Sequence, residues 1–247
     1  MRQILDVPYG KKPVQLLDWY LPDEQGFDLI IWFHGGGMKT GSRNGTVGQS
    51  LAQSAVSHGF GFVSVEYSMY PQARYPDFIN DSAEAVAFVL AHMEEYGAKR
   101  AVLTGSSAGA YLTMMLAMNP AYLNNAHADR SKLSAYVSDS AQQTVHFEVL
   151  RERGIDSRAE RIDEAAPLYY PFMHPLDKPM LLISYTKDMI CRLEQNQLMY
   201  RSLQLANPEA KIELKVLEGG HCAGSVKKNQ NGEYDYLIEL MRFVREV

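Results

Sequence analysis

Residues 100–118 read RAVLTGSSAGAYLTMMLAM, and the fold turns on how that stretch is parsed. "RAVLT" (100–104) is a short β-rich run and "AGAYLTMMLAM" an apolar helix former, with two serines between them. The glycines set the register. Gly105 and Gly109 stand two positions either side of Ser107, giving G-x-S-x-G, whereas Ser106 would have Thr104 and Ala108 at those positions. A strand before and a helix after is the context in which such a serine sits on a sharp, strained turn above the sheet. Small neighbours are needed there because the backbone passes close, and the helix amino terminus behind favours developing negative charge. Composition alone would produce the pattern in roughly one such chain in ten. The competing reading is a glycine-rich connection between strand and helix.

Working outward, short β-rich runs alternate with amphipathic segments. "LIIWF" (29–33) is a continuous apolar run suited to a strand buried on both faces. "TVGQSLAQSAVSHG" reads as a helix stopped by Gly59, and "GFVSVEY" (61–67) as the next strand. A helix is predicted from about Asp77 to Tyr96, with Ile79, Ala83, Val86, Val89, Leu90 and Met93 on one stripe. Asn119-Pro120 stops the helix that follows Ser107. Later strands are predicted at "LSAYVS" (133–138), "PMLLISY" (179–185) and "KIELKVL" (211–217), and helices at about 191–206 and 233–246. This alternation predicts an α/β fold, a mainly parallel sheet with helices on both faces. Residues 140–178 interrupt the rhythm as a small insertion after the sixth strand, with candidate helices around 142–153 and 157–166. In a doubly wound sheet such an insertion sits over the carboxyl ends of the strands. It reads as a small cap or as a longer excursion with no ligand contact.

The chain of 247 residues carries a net charge of −5 with no basic run, so no nucleic-acid partner is expected. Its length suits one domain spanning 1–247. The amino terminus has no apolar core of signal-peptide length, and the longest apolar runs are too short to cross a bilayer. Cys191 and Cys222 form no C-x-x-C pair, so neither a disulfide framework nor a zinc site is suggested. These features predict a cytoplasmic protein with no membrane partner. Nothing in them selects a monomer over a homodimer.

"HGGG" (34–37) directly follows "LIIWF". Composition would produce this tetrapeptide only a few times in about a thousand chains. Glycines there let backbone N–H groups turn toward a reacting carbonyl oxygen. A phosphate-cradling loop is the rival, but no G-x-G-x-x-G follows the strand and no G-K-[ST] occurs. Acyl transfer also needs a base and a carboxylate to orient it. His221, in "LEGGHCAG", follows the last strand on a glycine-freed loop. Among the other histidines, His34 reads as structural and His58 and His92 as helix-surface residues. His127, His146 and His174 fall in irregular or inserted segments. For the acid, Asp188 and Asp139 each stand just past a strand, and either could be a helix N-cap. Asp188 is preferred because the order Ser107, Asp188, His221 then follows successive strands.

These residues resemble the α/β-hydrolase superfamily, and more narrowly its bacterial HGGG-type carboxylesterases of the hormone-sensitive-lipase-like and acetyl-esterase-like group. "LDWYLP" (17–22), "HGGG", "GSSAG", "EAAPLYY" (164–170), "YTKD" and "GGH" are similar to the family's landmarks in order, over nearly the whole chain. The resemblance implies Ser107 as nucleophile, Asp188 and His221 as its triad partners, and the N–H groups of Gly36, Gly37 and Ala108 as the oxyanion hole. The chain departs from the family in having "EYS" (66–68) where many relatives have Asp-Tyr-Arg, and in carrying Cys222 after the base. A short amino-terminal segment implies that the larger lipase-type cap is absent.

The resulting expectation is a serine carboxylic-ester hydrolase for small, short-acyl esters, with no metal or organic cofactor and a small-molecule ester as its partner. Met38, Met69, Tyr70, Gln142, His146 and Phe172 are candidate pocket-lining residues from their positions. An amide-cleaving hydrolase, formamidase- or aminopeptidase-like, is the rival within enzymes. A non-catalytic receptor on the same fold is the rival outside them.

Overall fold

Strand β3 (Phe27–Phe33) explains the layering, because its run of apolar residues has no polar side to turn outward. In the computed structural model, which describes residues 1–247, Leu29, Ile31 and Phe33 enter one hydrophobic core and Ile30 and Trp32 the other. Both faces of the sheet are therefore covered. Fully burying each such aliphatic or aromatic side chain contributes about 1.5–3 kcal/mol.

The sheet has eight strands in the order β1-β2-β4-β3-β5-β6-β7-β8. These are β1 (Arg2–Pro8), β2 (Leu16–Leu21), β3, β4 (Gly61–Val65), β5 (Ala98–Ser106), β6 (Leu133–Asp139), β7 (Met180–Lys187) and β8 (Ile212–Gly220). Strand β2 runs antiparallel to β1 and β4, and every pair from β4 to β8 is parallel. Helices α2 (Asp77–His92), α3 (Ala108–Met118) and α6 (Arg192–Ala206) pack on one face through Val86, Tyr111, Met115 and Met199. Helices α1 (Thr46–Ser57) and α7 (Asp235–Arg245) cover the other through Leu51, Ala55, Leu240 and Phe243. All eleven residues of α3 are buried, as a helix apolar on every side but for Thr113 requires, and the Thr113 hydroxyl donates to the Gly109 carbonyl at 3.0 Å.

Register aligns the strand ends. Phe33 pairs with Gly105 and with Val65, Ser106 with Asp139, Asp139 with Ile183, and Lys187 with Gly220. The segments that leave β3, β5, β6, β7 and β8 consequently emerge along one edge of the sheet.

Several elements differ from the sequence reading. Strand β1 was not legible, since its side chains are mostly exposed and follow no alternation. The helix from Asp77 ends at His92 and tightens into a 3-10 turn over Met93–Tyr96, which Gly97 closes at φ 95°. Pro120 starts a short helix, α4 (Pro120–Asn125), capped by the Asn119 side chain.

Between β6 and β7 only one short helix forms, α5 (Phe147–Glu152), with a 3-10 turn at Pro167–Tyr169. The expected helix at 157–166 is absent because its backbone bonds elsewhere. The Arg161 carbonyl accepts from Val145 N–H, Asp156 takes the Arg158 N–H, and Asp163 takes that of Ala165. The whole excursion is tied to the body. Tyr111 donates to the Ala165 carbonyl at 2.8 Å, and Gln143 bonds Gln195 and Asn196, each at 2.9 Å.

Candidate active site

Strand β5 hands the chain to α3 through Ser107, whose backbone lies at φ 55°, ψ −113°, a region non-glycine residues avoid. The turn is held from outside by the Ser107 N–H, which donates to the Asp139 carbonyl at 2.8 Å. It also needs Gly109, because a Cβ there would fall 2.0 Å from the carbonyl oxygen of Phe33.

The Ser107 hydroxyl lies 2.8 Å from Nε2 of His221, and Nδ1 of His221 lies 2.5 Å from Oδ1 of Asp188. A carboxylate can only accept, so Nδ1 carries the proton and Nε2 faces the serine as an acceptor. Ser106 turns away and bonds Ser225 at 3.3 Å. The Asp188 side chain is 1% exposed. Burial pushes its carboxyl up, but the His221 bond and charge, the Met189 N–H at 2.7 Å and the Ser140 hydroxyl at 2.8 Å outweigh it. The net position is below the ordinary carboxylate value. Asp139, the other candidate acid, is fully buried and faces other partners, accepting from Tyr185 at 2.8 Å and Ser225 at 2.6 Å. Burial raises its pKa against those hydrogen bonds.

The HGGG loop runs beside the serine. Gly36 sits at φ 117°, and a Cβ there would meet the Thr40 carbonyl oxygen at 1.9 Å. Its own carbonyl accepts from the Lys39 and Thr40 N–H groups. By contrast, the N–H groups of Gly36, Gly37 and Ala108 have no acceptor within the chain. His34 anchors the loop: its ring stacks on Tyr67 at 4.4 Å, with Nδ1 2.7 Å from the Gly35 carbonyl and Nε2 2.9 Å from Glu66. Glu66, the first residue of the divergent "EYS", also accepts the Arg43 N–H at 3.1 Å and so ties two loops together. Arg43 itself is buried and pairs with Asp6 and Asp18.

A cavity of about 560 Å³ opens over this group, lined by Gly35, Gly36, Gly37, Ser107 and His221. Its walls include Phe147 from α5, Met189 after β7, Val226, and Thr46 and Val47 at the start of α1. None of the six candidate pocket-lining residues is among its walls. Met38 is buried in the core at φ 61°, and Met69 and Tyr70 pack against that core. The Tyr70 hydroxyl bonds Glu152. Gln142 is buried and bonded to the Val145 carbonyl at 2.9 Å. His146 is buried behind Phe147, its ring 4.2 Å away, and accepts the Glu148 N–H as the cap of α5. Phe172 is 69% exposed on the outside. Met38, Met69, Tyr70 and Gln142 follow strand ends in sequence and His146 and Phe172 lie in the excursion, but packing turns each inward or away. Position after a strand end would have pointed to Met189; no sequence signal marks Phe147 or Val226.

No cluster of three or more His, Cys, Asp or Glu side chains is placed to hold a metal ion. Likewise, no helix is long and apolar enough to cross a membrane.

Comparison with known proteins agrees with this architecture. Residues 17–152 match the BD-FAE family profile. The chain is 28% identical over 117 residues to an acetyl esterase of Salmonella paratyphi B, covering 47% of this chain and 35% of that protein. It is 24% identical over 238 residues to the esterase LipC of Mycobacterium tuberculosis, covering 87% of this chain and 58% of that one. The chain thus spans about a third to somewhat over half of these curated relatives. In three dimensions it superposes on the propionate-bound esterase Est2 of Thermogutta terrifontis with a TM-score of 0.77, at 22% identity, covering 99% of this chain and 93% of that one. With its eight-stranded, mostly parallel sheet and more than half its length matched, the chain belongs to the BD-FAE family of α/β-hydrolases.

Proposed function

We propose that this protein is a serine carboxylic-ester hydrolase acting on small, short-acyl esters. The observation that carries the reading is the unbroken line from Ser107 through His221 to Asp188, at 2.8 and 2.5 Å, beside three N–H groups with no acceptor of their own. In this mechanism Nε2 of His221 takes the Ser107 proton as Oγ attacks the ester carbonyl carbon. The carbonyl oxygen becomes an oxyanion, accepting hydrogen bonds from Gly36, Gly37 and Ala108, with the amino terminus of α3 behind it. Each such donor is worth about 10²–10³ in rate. His221 then gives its proton to the departing alkoxide, so an alcohol leaves and Ser107 is left acylated. A water attacks the acyl carbon while His221 takes its proton. Return of that proton to Oγ frees the carboxylic acid.

Asp188 stays ionised throughout and stabilises the imidazolium. The short-acyl preference is supported by Phe147, which stands over Gly37 in the cavity wall. The acetyl esterase among the sequence relatives and the propionate-bound structural relative point the same way. Phe147 reaches the site from the 140–178 excursion, which we read as a small, fixed cap. The test is hydrolysis of an aryl acetate set against the matching anilide, with an alkyl fluorophosphonate as label. The reading expects ester turnover well above amide turnover, and the adduct on Ser107. An adduct on Ser106, or full activity in Ser107→Ala, would refute it.

A further inference from the structure

Behind the Asp188 carboxylate lies an arginine with no acid bonded to it. Arg192, the first residue of α6, is 5% exposed. Its hydrogen-bond partners are neutral: Nη1 donates to the Ser140 carbonyl at 2.9 Å, Nη2 reaches Gln142 Oε1 at 3.5 Å, and Nε has no partner. A guanidinium taken out of water without a bonded carboxylate is strongly disfavoured, and burial indeed pulls its pKa below the ordinary arginine value. Packing alone would be served better by a methionine.

The partner it bonds suggests why the charge is kept. Ser140 follows β6 with φ 59°, a left-handed backbone that a serine holds only under constraint. Both ends of the residue are pinned, the N–H by the Ile183 carbonyl at 2.9 Å and the carbonyl by Arg192. So constrained, its hydroxyl donates to Oδ2 of Asp188 at 2.8 Å, on the oxygen His221 does not use. The same hydroxyl accepts the N–H of Cys222, the residue after His221, at 3.2 Å.

We infer that Arg192 and Ser140 are positioning residues for the proposed triad: Arg192 clamps the strained Ser140 so that its hydroxyl fixes Asp188, and its unpaired charge favours the ionised carboxylate. This rests on the hydrolase reading above. The ionisable groups facing Arg192 are Asp188 at the end of β7, the Cys222 thiol after β8 and Glu160 in the excursion; His146 at the cap of α5 also feels its charge. Glu160 is occupied by Thr144 and Gln195, at 2.7 and 2.8 Å. Asp188 faces His221, Ser140 and the Met189 N–H, and His221 also feels the buried Asp139 carboxyl at the end of β6.

The experiment compares pH profiles of kcat/KM on an aryl acetate for the natural chain, Arg192→Met, Arg192→Lys and Ser140→Ala. Fluorophosphonate stoichiometry counts competent sites in each. Removing the positive charge makes a proton on His221 easier to hold, so Arg192→Met should move the acid limb up by about half to one pH unit. Arg192→Lys should restore that midpoint but not the full kcat, because an ammonium lacks the guanidinium fork. Ser140→Ala should lower kcat about tenfold and also move the limb up, since a carboxylate with one donor fewer pulls harder on the imidazole proton. A fully labelled Arg192→Met with an unmoved limb would overturn the inference, leaving Arg192 as packing. Should Arg192→Met not fold, Ser140→Ala decides alone, and an unmoved limb there overturns it equally. If the natural chain neither turns over ester nor takes the label, the hydrolase reading has failed and this inference falls with it. Normal turnover in the natural chain with unmoved limbs in the variants rejects the positioning role only.

Discussion

Replacing Asp188 by asparagine separates what its geometry contributes from what its charge contributes. Oδ1 accepts both His221 Nδ1–H and the Met189 N–H, whereas Oδ2 meets only the Ser140 hydroxyl. An asparagine can therefore keep its oxygen at the Oδ1 position and aim its amide at Ser140 Oγ, which needs only to rotate its proton. In that orientation the imidazole keeps its tautomer and loses only the counter-charge. Two unit charges about 4 Å apart interact by about 4 kcal/mol at an effective dielectric of 20, which is about three powers of ten in rate. If the amide flips instead, the tautomer is lost too, and the penalty rises to about 10⁴. Asp188→Asn should thus lower kcat by 10³–10⁴ with little change in Tm, measured on an aryl acetate with fluorophosphonate counting of folded sites. Asp139→Asn is the control. It disturbs the bonds from Tyr185 and Ser225 and leaves the hydrogen bonds of the imidazole in place, so it should cost about 1–3 kcal/mol of stability and less than tenfold in kcat. A loss under tenfold for Asp188→Asn, or the reverse ranking of the two aspartates, would refute the reasoning.

Gly109→Ala places a methyl 2.0 Å from the Phe33 carbonyl, so it should destabilise the chain by about 3 kcal/mol or more and abolish labelling of Ser107; a well-folded, fully labelled variant would contradict the elbow packing. Burial, together with the Arg192 and Arg151 charges, holds His146 down at a pKa of about 3. The unfolded chain therefore binds a proton there that the folded chain refuses, and stability should fall as pH drops from about 6.5 toward 3. His146→Gln should flatten that part of the Tm-against-pH curve, and an unchanged slope would reject the assignment. Across a series of aryl esters, kcat/KM should peak at acetyl to butyryl, because each methylene beyond the cavity forgoes about 0.8 kcal/mol of burial. A maximum at octanoyl or longer would show an apolar slot that Phe147 does not block.

Much of the architecture was legible because its causes are local. A strand buried on both faces must be apolar throughout, so "LIIWF" could be read without tertiary information. Gly105 and Gly109 surround a turn whose backbone tolerates no Cβ at Gly109, and that constraint is written into the sequence at fixed spacing. The chain order of Ser107, Asp188 and His221 follows the ends of β5, β7 and β8, and register brings those three side chains within hydrogen-bonding distance. The cavity walls were not legible. Phe147, Met189, Val226 and Thr46 come from four separate segments that share no period or motif, and they meet only because parallel strands end on one edge. Met38 and His146 look equally well placed in sequence, yet burial claims both for the interior. Arg192 carries this furthest. On a sequence plot it is an ordinary charge opening an ordinary helix, and only the folded chain takes its guanidinium out of water beside Ser140 and Asp188, because burial is a property of the whole packing and not of any local run of residues.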